Sequence, residues 1–81
     1  MSSIEFSLHA LERMRVYHVT SAMVFQTIND PDLVIGSYSG RKIYQKALNG
    51  YLLRVIVEEG LLIKKVVTIY KARRERYENN V

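Results

Sequence analysis

The sequence predicts an α+β fold in which two N-terminal helices pack on an antiparallel sheet of about four strands. Two observations carry the sheet. Residues 51–70 form two long apolar stretches of alternating character around Gly60, and Asn49-Gly50 stands just before them as a hairpin turn, since both residues tolerate positive φ. A third observation carries the helices. Ser7 and Thr20 are each good N-caps placed before an apolar set, and Pro31 closes the second set.

Taken in order, Ile4-Glu5-Phe6 reads as a short first strand leading straight into a helix from Leu8 to Tyr17. Leu8, Leu11 and Met14 form its expected buried stripe, with Ala10 and Tyr17 at the edge and Phe6 stapled to Leu11. His9 and Arg13 lie four apart on one face, turned away from Leu11. The second helix opens at Thr20, with Val19 and Val24 as its staple and Val24, Phe25 and Ile28 as its apolar side. From Leu33 the pattern changes to strand and turn, and an exposed edge strand is expected at Leu33–Ile35. The Asn49-Gly50 turn pairs Leu48 with Tyr51 and Gln45 with Arg54. A three-residue loop at Glu58-Glu59-Gly60 is expected to pair Val57 with Leu61, with Gly60 in the left-handed position. That register gathers Tyr51, Leu53, Val55, Val57, Leu61, Ile63, Val67 and Ile69, with Lys65 out of character, on the core face. It leaves Arg54, Lys64, Thr68 and Tyr70 on the other, joined by Arg41 and Gln45. The end of the chain, Asn79–Val81, is expected to fray.

Length bounds the rest: 81 residues make a single domain spanning 1–81, only marginally stable by itself, so a partner covering apolar surface is admitted, a second copy included. With no cysteine there is neither a disulfide scaffold nor a thiolate site. The start has no signal-peptide pattern and no apolar run reaches membrane-spanning length, so a soluble cytoplasmic protein without a membrane role is expected. Twelve Lys and Arg against eight Asp and Glu give +4, and half of the basic residues lie from Lys64 onward. An anionic partner such as RNA fits that asymmetry, and so does a merely solvated basic end.

Chemistry-bearing residues are few. His9 falls in the first turn of a helix, where free amides and the dipole attract phosphate and lower imidazole basicity. Arg54 interrupts an apolar strand, so its guanidinium must meet solvent, an anion, or a carboxylate, for which Glu5, Glu12 and Glu58 are the candidates. Asn29-Asp30-Pro31-Asp32 reads as a helix-ending turn rather than a metal site, and no phosphate-binding glycine loop, nucleophile elbow or zinc spacing occurs. No metal and no cofactor is called for.

The order His9-Ala10, Arg13-Met14, a helix opened by Thr20, Gly40-Arg41 with Tyr44, Leu53-Arg54-Val55-Ile56-Val57 and Val67-Thr68-Ile69-Tyr70 resembles the family called domain of unknown function 4258, over about Phe6 to Arg74. Where such sequences carry Arg-Gly at the end of the first helix, this chain has Tyr17-His18, without the Gly cap. The family is in turn similar to toxin ribonucleases of the RelE and BrnT kind. That resemblance implies two helices on an antiparallel sheet and metal-independent RNA cleavage by 2′-hydroxyl attack, with an antitoxin protein as partner. Carried onto this chain, it makes His9 the acid-base group, Arg13 and Arg54 the phosphate holders, and Thr68 or Tyr70 the group that orients or donates. Arg41, Lys64, Lys71, Arg73 and Arg74 would grip the flanking RNA backbone. The alternatives are a non-catalytic module of the same fold that binds RNA or protein, and an adaptor that pairs its edge strand with another chain.

Overall fold

The computed structural model describes residues 3–36 and 38–73. They form β1 (Ser3–Phe6), α1 (Leu8–Tyr17), α2 (Ser21–Asn29), β2 (Leu33–Gly36), β3 (Arg41–Leu48), β4 (Tyr51–Glu59) and β5 (Ile63–Arg73). Arg74 and the end expected to fray, Asn79–Val81, lie outside the described residues. The sheet has five strands in the order β1-β5-β4-β3-β2, so the expectation of about four antiparallel strands is corrected in two ways. The segment Ser3–Phe6 is a full member of the sheet, and it runs parallel to β5, pairing Ser3 with Ile63 and Phe6 with Val66. A parallel neighbour needs a long crossover, and here the whole of α1 through β4 supplies it. No tight turn constrains its direction.

Both N-caps form where the sequence places them. Ser7 Oγ accepts from Ala10 N at 3.0 Å, and Thr20 Oγ1 accepts from Met23 N at 3.2 Å. Each satisfies an otherwise orphaned amide of the first turn. The buried stripe of α1, however, is Ala10, Met14 and half-buried Tyr17, whereas Leu8 is 85% exposed and Leu11 is exposed. Arg13 completes that 10-13-14-17 stripe and is itself half-buried. The helix has turned by about one residue from the expected face, because Ser7 is tied to β5 through Ser7 N to Val66 O (3.0 Å) and Ser7 Oγ to Val67 O (2.7 Å). Phe6 consequently packs against Phe25 of α2, ring centroids 5.8 Å apart, instead of Leu11. The Val19 and Val24 staple is buried as expected.

At the end of α1, His18 takes the left-handed conformation (φ 57, ψ 43) that a glycine would fill. Val19 N reaches Met14 O at 2.8 Å, which closes a Schellman-type cap without glycine. The chain then turns directly into α2. The turn after α2 is structural, as read: Lys46 Nζ donates to Asp30 O at 2.8 Å, and Ala47 N donates to Asp32 Oδ2 at 2.8 Å.

The Asn49-Gly50 turn closes the β3–β4 hairpin with φ of 41° and 87°, and it pairs Leu48 with Tyr51 and Gln45 with Arg54. The second hairpin departs from expectation. Glu59 pairs with Lys64, Glu58 with Lys65 and Val57 with Val66, then Ile56 pairs with Thr68, so Val67 is the extra residue of a β-bulge. Gly60 does not have positive φ; its glycine is required because a Cβ there would stand 2.8 Å from the Ile63 carbonyl oxygen. This register sets opposite charges across the strands at 58/65 and 59/64, which the expected one does not. It also sacrifices Leu61, 100% exposed, and Leu62 to the solvent. In exchange the bulge inverts the alternation, and Val66 and Ile69, three apart in sequence, are both fully buried. Lys65 therefore leaves the core face and Lys64 joins it, which reverses the expected placing of those two lysines.

The core is one cluster between the helices and one face of the sheet: Ala10, Met14, Val19, Val24 and Ile28 above Tyr44, Leu53, Val55, Val57, Val66 and Ile69. The opposite face, here the far face, carries Leu33 and Ile35 from β2, Arg41, Ile43, Gln45 and Ala47 from β3, Leu52, Arg54, Ile56 and Glu58 from β4, and Lys65, Thr68 and Tyr70 from β5. Among the described residues no helix is long and apolar enough to cross a membrane.

Candidate functional site

The far face gathers four of the five residues expected to do chemistry. Arg54 and Tyr70 are directly opposite one another on β4 and β5, and Thr68 lies one step along the same face opposite Ile56. Side chains at opposed positions stand about 5 Å apart at Cβ, so Arg54 flanks the Tyr70 phenol. Arg13 arrives from the other side. Its Cζ stands 5.5 Å from the centre of the Tyr70 ring and 5.3 Å from that of Tyr17. Both contacts are within cation–π range.

The reach of Arg13 follows from the strand lengths. β1 stops at Phe6 opposite Val66, and beyond that point the edge of β5 is bordered by α1. The helix starts beside Val66 and Val67 and ends where Lys71 Nζ donates to Tyr17 O at 3.2 Å, so α1 and β5 run side by side in the same direction. A helix climbs about 6 Å over four residues and a strand about 6.6 Å over two. With Arg13 beside Tyr70, His9 comes level with Thr68. The His9 side chain is exposed and makes no hydrogen bond or ion pair with the described residues. His9 thus shares the height of the cluster along α1, while Arg13, Arg54 and Tyr70 form it.

The electrostatics favour an anion here. Arg13 Nε is buried and has no hydrogen-bond partner among the described residues, as is Thr68 Oγ1. On α1, Glu12 pairs with Arg15 at 2.6 Å, and the hydrogen bond and charge of that contact hold the Glu12 carboxyl below its ordinary range. Glu58 is bound by Arg41 at 3.5 Å, and Glu5 stands opposite Lys65. Two guanidiniums converging on one tyrosine side chain make a forked, permanently charged donor set suited to phosphate or carboxylate. Thr68 is buried, which keeps it away from the solvent that a substrate would arrive from.

The expected flanking contacts divide differently. Arg41 lies on the far face in its pair with Glu58. Lys64 belongs to the helix face, with Nζ 5.6 Å from the centre of the Tyr44 ring, because the bulge reversed the alternation. Lys71 also lies on the helix face, opposite Leu53, with its ammonium 4.3 Å from the centre of the Tyr51 ring and bound to the last carbonyl of α1. It acts as a cationic C-cap, compensating the negative end of the helix dipole. Exposed Arg73 shares that side, and Arg74 lies outside the described residues.

Tyr17 is the site residue that sequence reasoning left as packing. Its signal was available in the spacing: it follows Arg13 by four residues, so helical geometry alone stacks the ring against the guanidinium.

Neither the curated proteins nor the solved structures yield a match to this chain. The family comparison does: residues 6–71, which include every member of the Arg13, Arg54, Thr68 and Tyr70 cluster, match the profile of Domain of unknown function (DUF4258), and the chain belongs to that family.

Proposed function

We propose that this protein is a metal-independent endoribonuclease of toxin-antitoxin type that holds a backbone phosphate at Arg13 and Arg54. The observation that carries the reading is the pair of arginines converging on Tyr70 on the far face, one from α1 and one from β4. The likeness of the chain to RelE- and BrnT-type toxins supports the choice of RNA. It also supports an antitoxin as the silencing partner and the cytoplasm as the setting.

The chemistry is balanced by two proton transfers. The ribose 2′-oxygen attacks phosphorus in line and gives its proton to the His9 imidazole. The P–O5′ bond breaks, the departing 5′-oxygen takes a proton from the Tyr70 hydroxyl, and a 2′,3′-cyclic phosphate remains. Arg13 and Arg54 neutralise the charge that grows on the equatorial phosphoryl oxygens, the contribution that dominates such sites. Arg41 adds charge along the same face, and Thr68 packs beside the cluster.

The test is incubation of purified protein with mixed-sequence RNA in EDTA, comparing wild type with His9→Ala and Arg54→Gln and resolving the product ends. Cleavage that survives chelation, leaves cyclic phosphate ends and falls at least about a hundredfold in His9→Ala supports the mechanism. A second reading, a non-catalytic RNA-binding module, is favoured by one observation, the exposed His9 side chain with no hydrogen bond into the cluster. RNA retained in a salt-dependent manner but left intact would establish that reading instead.

A further inference from the structure

The two edges of the sheet are built differently. β1 carries Glu5 in its centre and lies against β5. β2, the other edge, is Leu33-Val34-Ile35-Gly36, with no charge, no proline and no bulge within it, and all four residues are exposed. Among the described residues no strand pairs with its outer side. Charges, prolines and bulges are the usual devices that keep an edge from pairing with another chain, and apart from its short length β2 has none of them.

We propose that β2 pairs antiparallel with β2 of a second copy, making a twofold dimer with one continuous ten-stranded sheet. A twofold axis normal to the sheet keeps the helices of both copies on one side, and it requires opposed residues to share a face. Val34 then meets Val34 of the second copy and Leu33 meets Ile35. This register buries all three exposed apolar side chains of each strand.

Charge selects the same arrangement. Asp32 stands at the head of β2 and Lys42 stands opposite Gly36 at its foot, both exposed. Antiparallel pairing brings Asp32 of one copy across from Gly36 of the other. The Asp32 carboxylate already accepts from Ala47 N of its own copy and lies 3.9 Å from Lys46 Nζ, but its side chain stays 55% exposed. Nothing lies within 4 Å of where a Cβ of Gly36 would be, so Lys42 can approach that opposing carboxylate across it. The contact occurs twice by symmetry. Parallel pairing would set Asp32 against Asp32 and Lys42 against Lys42. A four-residue strand makes a small interface, so the dimer is weak and exchanging, in the class below about 1,200 Å². The inference is independent of any RNA activity.

Sedimentation of the full chain over a range reaching millimolar concentration should show a monomer–dimer equilibrium. Val34→Lys should shift it to monomer while leaving the circular dichroism spectrum unchanged. Because the natural chain has no cysteine, oxidative cross-linking reports the register directly. Val34→Cys should form a disulfide-linked dimer. Gly36→Cys should not, since those two residues would be displaced along the strands by about 13 Å, beyond the roughly 7 Å that a disulfide spans between Cα atoms. A chain that stays monomeric at millimolar concentration overturns the proposal. So does a dimer that Val34→Lys leaves intact, or one in which Gly36→Cys cross-links as readily as Val34→Cys.

Discussion

The two faces of this sheet are made by the same strands and do opposite things. On the helix face of β4, Leu53, Val55 and Val57 are fully buried under α1 and α2. On the far face of the same strand, Arg54 stands between them in sequence and opposite Tyr70 in space. Strand alternation sends adjacent residues into different environments, so a one-residue step along β4 passes from packing to chemistry. Substitutions at neighbouring positions should therefore separate stability from function. Leu53→Ala should lower unfolding free energy by about 2–5 kcal/mol, read by urea denaturation, as expected when a fully buried leucine leaves a cavity. Arg54→Gln should change it by less than about 1 kcal/mol while reducing RNA cleavage or retention more than tenfold. If Arg54→Gln unfolds the protein as Leu53→Ala does, Arg54 belongs to the architecture and the division between the faces fails at its most important residue.

Arg13 sharpens the comparison because it belongs to both faces. Its stem lies in the buried stripe of α1, and its guanidinium passes round the edge of β5 to Tyr70. Arg13→Met keeps a long flexible stem for packing, so stability should hold within about 1 kcal/mol, while binding of RNA weakens and its salt dependence becomes shallower by about one counterion. Arg13→Lys retains the charge without the fork. It should fall between wild type and Arg13→Met in a filter-binding titration, closer to Arg13→Met if bidentate contact matters.

Much of the architecture was legible in the sequence, because local chemistry determines it. Ser7 and Thr20 cap their helices, and Asn49-Gly50 turns with both φ values positive, each through groups within a few residues of each other. The shared face of Arg54, Thr68 and Tyr70 agrees with expectation but is reached by another route: the hairpin begins in the opposite parity, and the one-residue shift at Val67 restores it, so the bulge and not the expected loop puts the three on one face. What could not be read depended on distant contacts. The parallel docking of β1 rests on partners about sixty residues away, and the rotation of α1 that exposes Leu8 and Leu11 rests on Ser7 being tied to Val66 and Val67. The Val67 bulge carries no glycine or other local mark, yet it decides that Lys64 belongs to the helix face and Lys65 to the far face. Arg13 was flagged by its spacing from His9, but its contact with Tyr70 follows from β1 ending one residue before the cap, a fact about the assembled sheet.

The junction between helix and sheet offers a smaller test in the stabilising direction. His18 holds a left-handed conformation that costs a non-glycine residue about 1–2 kcal/mol. His18→Gly removes that cost but also loosens the unfolded chain, so a net gain of about 0.5–1 kcal/mol is expected, with RNA activity unchanged. A loss of activity in this variant, seen with stability preserved, would put His18 beside His9 in the chemistry and move the site off the far face.

The smallest effect lies deep in the helix face, where Tyr44 donates to Glu59 and both burial and that carboxylate push its phenol up to about 12. The sign follows from which state holds the proton more tightly. An unfolded tyrosine loses its proton near pH 10, whereas the folded protein keeps it to about 12. Below pH 10 both states are protonated and the full contribution is present. Between 10 and 12 unfolding releases a proton, so stability falls as pH rises, and above 12 the contribution is gone. Melting temperatures across that window should drop more steeply for the wild type than for Tyr44→Phe, which starts lower for want of the hydrogen bond. Equal slopes for wild type and Tyr44→Phe would mean that solvent reaches the Tyr44–Glu59 pair and that the helix face is less tightly closed at its Gly60 end than at its centre.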